Sequence, residues 1–386
     1  MKCKKGIFYV AFILLCMVQV QAQRALPIHI TFTLSSAILP EDSAVFITGS
    51  IEPLGDWNPG KIKMEYAGNH TWRTVFTLSA PASVEYKYTL GSWEYEAAAP
   101  DGTPLSNFST SLLQDTTISD TIGLWTNGTH NKVTEHHVTG IVKYHPAMKG
   151  KGIKDRDVTV WLPPGYDSSA NTSYPVLYMH DGQNIFDPAA SAFGVEWSID
   201  ETCDSLIKQG KISPLIVVGI SNTTDRSFEY APGAKGEAYM NFIVKQLKPF
   251  IDSVYHTNPD REHTLVGGSS LGGLISFMLT WQHADVFSKA ICMSPAFKIN
   301  WLDYVKTVNG YRGKKKDLSF YINNGGVGLD AQLQPGVNAM LAALQRKGYM
   351  EGKDIKYVPD IKANHSETSW AKRFPEAIVW CMDLIK

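Results

Sequence analysis

Two rhythms of apolar and polar residues divide the chain. Between residues 27 and 125 the period is two. Ile28, Ile30, Phe32 and Leu34 alternate with polar neighbours, and Val84, Tyr86, Tyr88 and Leu90 repeat the pattern over 83–90. Such alternation turns one face of a strand to a core and the other away from it. Shorter strands fit 43–49, 71–78 and 115–123, with Gly55, Gly60, Gly68 and Asp101-Gly102 marking turns between them. Strands this short and this closely spaced predict an all-β, immunoglobulin-like β-sandwich.

From about residue 136 the pattern changes. Val158, Val160 and Leu162 still alternate, ahead of the turn Pro163-Pro164-Gly165. Continuous apolar runs then predict buried strands over 175–179, 215–220, 264–266, 287–293, 318–322 and 355–358. Between them the period becomes helical. Tyr239, Phe242, Ile243, Leu247, Ile251 and Val254 share one face of a long helix, and Val337, Met340, Leu341 and Leu344 mark another ended by Gly348. Strands alternating with helices predict an α/β domain, a mostly parallel sheet flanked by helices. Residues 126–135 are polar and without period, and read as a linker. The expected organisation is therefore a sandwich over 23–125, a linker over 126–135 and an α/β domain over 136–386.

Composition narrows the function classes. Ten Trp, 17 Tyr and 16 Phe, with only 19% charged residues, exclude a disordered chain. Lys plus Arg is 36 and Asp plus Glu is 37, so no basic surplus favours nucleic acid. The first residues read as a cleavable secretory signal over 1–22. Lys2, Lys4 and Lys5 precede an apolar run over 7–18, and Val20-Gln21-Ala22 places small residues for cleavage after Ala22. The run is too short to span a bilayer comfortably, so the mature chain is expected to be secreted or periplasmic, without a membrane span. Lipid anchoring at Cys16 is not expected, because Leu15 stands where such a signal needs a small residue. Three cysteines remain after cleavage, Cys203, Cys292 and Cys381, so at most one disulfide forms, and buried free thiols are expected. No Cys/His spacing suggests a metal site.

The chemistry concentrates in Gly268-Ser269-Ser270-Leu271-Gly272-Gly273, which fits G-x-S-x-G with Ser270 at its centre. A strand precedes it, and the apolar helix of Leu274, Phe277, Met278 and Trp281 follows. A nucleophile on this tight turn needs small residues two before and two after it. A serine also needs a base, and His365 follows the last strand-like run in the chain order Ser, acid, His. The acid is expected after the strand 318–322, where Asp330 is the only carboxylate of the loop. Asp360 is the alternative, five residues from His365. Two backbone N–H groups should stabilise an oxyanion, one from Leu271 and one from Gln183 in the loop after strand 175–179. This chemistry calls for no metal and no organic cofactor.

These residues resemble a known family. VWLPPGY, YPVLYMHDGQNIFD, VEWSIDET, GGSSLGG and ANHSETSWAKR are similar to the esterase D-like α/β-hydrolases, the group that includes carbohydrate esterase family 1, over roughly two-thirds of the chain. The resemblance implies an α/β-hydrolase fold and ester hydrolysis by Ser270, His365 and an acid near Asp330. Its members include acetyl xylan, feruloyl and siderophore esterases. Arg226-Ser227-Phe228-Glu229-Tyr230 resembles a loop near the site mouth in this group. Feruloyl esterases place the acid about three residues after the glycine that ends the strand, whereas here Gly325-Gly326-Val327-Gly328 carries it further out.

The first hundred residues resemble the family 20 and family 48 carbohydrate-binding modules, the starch-binding sandwiches. The matching runs are Val45-Phe46-Ile47-Thr48-Gly49, Leu54-Gly55-Asp56-Trp57-Asn58-Pro59, Glu85-Tyr86-Lys87-Tyr88 and Trp93-Glu94. The resemblance implies that Trp57 and Trp93 stack on glucose rings while Lys87 and Asn107 bind hydroxyls. Sugar rings do present apolar faces to aromatic planes, and polar groups at their edge fix orientation. Phe108 stands where the family has Arg. Trp72 is expected in the core.

The combined expectation is a secreted serine carboxylic-ester hydrolase acting on an acylated polysaccharide or oligosaccharide, of acetyl or feruloyl ester type. Its sandwich would bind a starch-like glucan. Two other readings stay open: a glycan-binding surface protein with an idle hydrolase domain, and a siderophore-type esterase. An iron-loaded siderophore is anionic and would need Arg or Lys at the pocket, where Arg226 is the candidate.

Overall fold

The computed structural model describes residues 27–385, apart from 56, 81, 100–103, 106, 127–135, 169–171, 192–194 and 300–301. The expected signal segment and nearly all of the expected linker lie outside the described residues.

Eight strands build the sandwich: Pro27–Ser35 (β1), Phe46–Gly49 (β2), Ile62–Lys63 (β3), Glu65–Gly68 (β4), Thr71–Ser79 (β5), Ala82–Thr89 (β6), Phe108–Leu112 (β7) and Thr116–Thr121 (β8). They form two four-stranded sheets, β4-β5-β1-β8 and β3-β2-β6-β7. The period of two does what it predicts. Ile28, Ile30, Phe32 and Leu34 of β1 meet Val84, Tyr86 and Tyr88 of β6 in one core with Ile47, Trp72 and Leu112. The buried tyrosines keep their polar ends satisfied, both hydroxyls donating to Asp120 Oδ2, at 2.9 Å and 2.7 Å. Trp72 is buried and donates to the Ser43 carbonyl at 3.0 Å. β7 was not expected, because its sequence FSTSL is rich in serine. It pairs with β6 along its length, and Phe108 stacks on Tyr86 at 5.3 Å.

The second domain begins with Ile141–Met148 (β9), Arg156–Leu162 (β10) and Val176–His180 (β11), followed by Ile199–Lys208 (α1) and Ile216–Ile220 (β12). Next come Arg226–Glu229 (α2), Ala234–Phe242 (α3) and Lys248–Val254 (α4). The last two join through a π-helical turn over Ile243–Leu247, so the long helix read from its apolar stripe is one rod with a widened middle. Thr264–Ser269 (β13) runs into Leu271–Gln282 (α5), then Lys289–Met293 (β14), the short pair Lys298–Ile299 (β15) and Leu302–Asp303 (β16), and Val305–Gly310 (α6). Ser319–Gly325 (β17), Leu329–Arg346 (α7), Ile355–Asp360 (β18) and Glu367–Asp383 (α8) complete it. Gly348 follows α7 in the left-handed region, at φ 87°.

One eight-stranded sheet, in the order β18-β17-β14-β13-β11-β12-β10-β9, organises the domain. β11 to β14, β17 and β18 are parallel, whereas β10 runs antiparallel to β12 and β9 antiparallel to β10. Alternate residues of the buried strands feed two separate cores. Val176 and Tyr178 pack with Tyr239, Phe242, Leu274 and Phe277 on one face, while Leu177 and Met179 pack with Ile199, Cys203, Trp370 and Phe374 on the other. Helices therefore cover both faces. The three cysteines are buried and free. From β11 the chain passes to β12 on one side and returns to β13 on the other. That reversal leaves a crevice beyond the carboxyl ends of β11 and β13, where open α/β sheets place their ligands.

Asp200, fully buried in the first turn of α1, is pushed up to about 8 by burial and then by the adjacent Glu201 carboxyl, against the Thr139 N–H that donates to it at 2.6 Å. A carboxyl raised in the folded state stabilises the fold while protonated. That contribution is present below the unfolded value and is lost as pH rises through about 8. The melting temperature should therefore fall from about pH 5 to about pH 9 more steeply in the native chain than in Asp200→Asn. Parallel profiles would contradict this assignment.

Candidate active site

Ser270 stands between β13 and α5 with φ 59° and ψ −123°, a left-handed backbone that costs a non-glycine residue about 1–3 kcal/mol. The surroundings over-determine it. Its N–H donates to the Met293 carbonyl at 2.9 Å, and its carbonyl accepts from Leu274 and Ala296, both at 3.1 Å. The flanking glycines are required by space. A Cβ on Gly268 would lie 2.9 Å from the backbone of Gly272, and one on Gly272 would lie 3.2 Å from Asp181 Oδ2. The turn thus lifts Ser270 to the crevice between β11 and β13. The Leu271 N–H, in the first turn of α5, has no acceptor within the helix.

His365, in the connection between β18 and α8, places Nδ1 2.6 Å from Asp330 Oδ1. Asp330 is fully buried, on the first turn of α7 rather than in a loop. Its other oxygen accepts from the Gly325 N–H at 2.9 Å and from Ser294 Oγ at 3.0 Å. Ser294 Oγ in turn accepts from Trp370 Nε1 at 3.0 Å, and the Trp370 ring stands edge-on to His365 at 4.8 Å. Both carboxylate oxygens are thereby fixed and the imidazole is oriented. The helix begins late because the glycine-rich stretch 325–328 brings it round, with Gly328 at φ 63°. The residue lies further along the chain than in the resembling family, yet its carboxylate reaches back to Gly325. Asp360 instead ends β18, next to Gly325 on β17.

The loop after β11 is held by charge. Arg226 Nε and Nη2 donate to Asp181 Oδ1 and Oδ2, each at 2.7 Å, and Asn222 Nδ2 donates to Oδ1 at 2.7 Å. Burial alone would raise the Asp181 carboxyl, but Arg226 and Asn222 outweigh it and hold it below its ordinary value. Asp181 itself is left-handed, at φ 57°, ahead of the turn Gly182–Asn184 that contains Gln183. The Gln183 side chain accepts from the Asn222 N–H at 3.1 Å. Next to this loop, burial drives His180 down to about 3, so its ring is neutral, bonded through Nδ1 to the Tyr239 hydroxyl at 2.8 Å. Sequence reasoning missed Ser294, Trp370 and the Arg226–Asp181 pair. Their partners lie 36 to 76 positions apart in the chain, and no local pattern signals them.

On the sandwich, Trp57 and Trp93 are half-buried, with ring centroids 6.5 Å apart and planes tilted by 38°. Trp57 is left-handed, at φ 61°. Lys87 departs from the expectation of a free sugar-binding cation, because it is buried and its Nζ lies 2.5 Å from Glu96 Oε2. Asn107 is exposed and donates to Glu85 Oε2 at 3.0 Å. Burial raises the Glu85 carboxyl, which also lies within electrostatic reach of His365 and Asp330. Among the described residues, Glu196, Asp200 and Glu201 have carboxylate oxygens within 4.8 Å of one another. The raised Asp200 fits a proton held there.

Comparison with known proteins follows the same division. The family model described as "Putative esterase" matches residues 153–381, more than half of the chain, and the model of the starch binding domain matches residues 27–99. Endo-1,4-beta-xylanase/feruloyl esterase of Xylanibacter ruminicola is 28% identical over 138 residues, 35% of this chain and 19% of that protein. The chain spans less than two-thirds of the curated relatives it matches. A solved ferulic acid esterase superposes with a TM-score of 0.54 at 18% identity, over 65% of this chain and all of the other. The enterobactin esterase FES of Shigella flexneri does so with 0.55 at 14% identity, over 92% of this chain and 93% of the other. These two likenesses are likenesses of fold.

Gly268→Ala tests the turn. The added methyl meets backbone that cannot swing away, so a loss on the order of 1–3 kcal/mol in unfolding free energy is expected in urea titration. An unchanged midpoint would contradict the packing described.

Proposed function

The chain belongs to the esterase family, and we propose that it is a secreted serine carboxylic-ester hydrolase whose substrate is an acylated polysaccharide or oligosaccharide. The observation that carries this reading is the 2.6 Å contact between His365 Nδ1 and buried Asp330, on the same sheet edge as the left-handed turn of Ser270. In this mechanism His365 Nε2 takes the Ser270 hydroxyl proton as Oγ attacks the ester carbonyl. Asp330 keeps the other ring nitrogen protonated and stabilises the imidazolium. The backbone N–H groups of Leu271 and Gln183 receive the oxyanion, the latter from a loop that Arg226 holds rigid. Collapse of the tetrahedral intermediate expels the alcohol, which takes the proton from His365 and leaves an acyl-enzyme. Water activated by His365 then releases the acid. This chemistry needs no metal or organic cofactor.

Support for a glycan substrate comes from the sandwich. Its match to the starch binding domain suggests a neutral glucan, and its Trp57–Trp93 pair offers an aromatic platform. Glu85 lies two residues from Lys87 on the same face of β6 and feels the charge of His365. Lys87 would act by setting the position of Trp93, whose ring its Nζ approaches at 5.9 Å, more than by binding a hydroxyl. A siderophore-type substrate fits less well, because both oxygens of Asp181 already balance the Arg226 charge. An idle hydrolase domain gives no reason for a non-glycine residue to keep the strained backbone of Ser270.

Ser270→Ala should lower turnover of a chromogenic acetate ester by on the order of 10⁴-fold or more, and Asp330→Asn by about 10⁴-fold with the fold intact. Activity within tenfold of the native enzyme in either variant would sink the triad. A panel of acetylated and feruloylated oligosaccharides against a catechol siderophore lactone tests the substrate class. Faster turnover of the lactone would replace the glycan reading.

A further inference from the structure

A cavity of about 310 Å³ opens on the other side of the hydrolase domain, away from Ser270. It is lined at one end by Trp281, eleven residues beyond Ser270 on α5, about 16 Å along a helix. The connection from α6 to β17 supplies its second wall, under the amino-terminal ends of the strands. The end of α7 supplies the third, through Arg346 and Lys347.

The basic wall is a built structure. Residues 311–316 read Tyr-Arg-Gly-Lys-Lys-Lys, four cations in six residues. The Tyr311 hydroxyl donates to the Lys314 carbonyl at 3.0 Å, and the end of the Tyr311 ring packs closely against Gly313. The Tyr349 hydroxyl donates to the Lys316 carbonyl at 2.9 Å, and Lys347 Nζ to the Tyr311 carbonyl at 2.7 Å. Lys316 Nζ donates to the Trp281 carbonyl and so caps α5. Those two lysines have structural duties. Lys315 pairs with Asp354 at 2.6 Å. Arg346 makes one bond, to the amide oxygen of Asn309, and no ion pair is found for Arg312 among the described residues. No carboxylate is among the described residues lining the cavity, whose walls are aromatic and cationic.

We propose that this cavity binds a carboxylated sugar unit, a uronate carried by a glycan. Tyr311 takes the ring face, and the guanidinium groups of Arg312 and Arg346 take the carboxylate. Guanidinium forks match a carboxylate better than ammonium groups do, and an aromatic wall distinguishes a sugar acid from a bare inorganic anion. The volume lies at the small end of ligand sites, as one substituted ring requires. The site lies apart from the ester chemistry, and the glycan that would carry the uronate is the substrate proposed above, so this inference rests on that reading. It would hold an acidic side branch while the neutral backbone is handled elsewhere.

The test uses the full-length Ser270→Ala protein in isothermal titration. Its probes are a glucuronic-acid-substituted xylo-oligosaccharide, the unsubstituted oligosaccharide and inorganic phosphate. The uronate probe should bind at least tenfold more tightly than either control. R312E/R346E, on an otherwise native chain that still turns over the chromogenic acetate, should lose at least tenfold in affinity for it, whereas Trp57→Ala and Trp93→Ala should not. No binding, equal binding of phosphate or of the neutral oligosaccharide, an unaffected charge-reversal variant, or loss caused by the tryptophan variants would each overturn the proposal.

Discussion

The left-handed backbone of Ser270 is the constraint on which the candidate site depends. A strand that ends in the middle of a parallel sheet delivers its last residue between two neighbouring loops, and a helix must start at once to bury its apolar face. That geometry leaves no room for a Cβ at Gly268, and only a tight one at Gly272. It also starts α5 at once, so that the first N–H groups of that helix have no acceptor within it. Strain of this kind persists only where neighbours hold it. Here Met293, the last residue of the adjacent β14, and Ala296 just after it supply those bonds. The turn therefore depends on the strand order as much as on its own residues.

The remaining groups arrive by topology. The reversal between β11 and β13 brings the Asp181–Gln183 loop beside Ser270. β17 and β18, successively farther out, feed Asp330 and His365 back toward it. Two polar assemblies fix these loops, Arg226 with Asn222 on Asp181, and Ser294 with Gly325 on Asp330. Each buried carboxylate is satisfied at both oxygens, which a low-dielectric site demands if the charge is to persist.

Local pattern carried the fold a long way. The period of two in β1 and β6, the apolar runs of β11 to β14, and the stripe from Tyr239 to Val254 are backbone geometry written in side chains. The sharp turn at Ser270 was legible because G-x-S-x-G is itself a steric requirement, and the meeting of His365 with Asp330 because chain order and a short terminal connection limit the choice. β7 and β9 were less so. They are edge strands with one face polar or exposed, where the apolar signal fades. Lys87 misled for another reason. Resemblance marks a residue type at a position, but the buried Glu96 that neutralises it lies on the returning hairpin, and only the folded chain brings the two together. The supports of Asp330 were invisible in the same way, because Ser294 after β14, Gly325 at the end of β17 and Trp370 on α8 come together around it on α7 only in the folded chain.

The proposed mechanism makes Ser270 an activated nucleophile and not merely a residue of a tight turn. Covalent labelling of the full-length protein with a fluorophosphonate, read by intact mass and peptide mapping, tests it most directly. One adduct per chain is expected, located on Ser270. A chain that takes up no label, or takes it up on another serine, would contradict it.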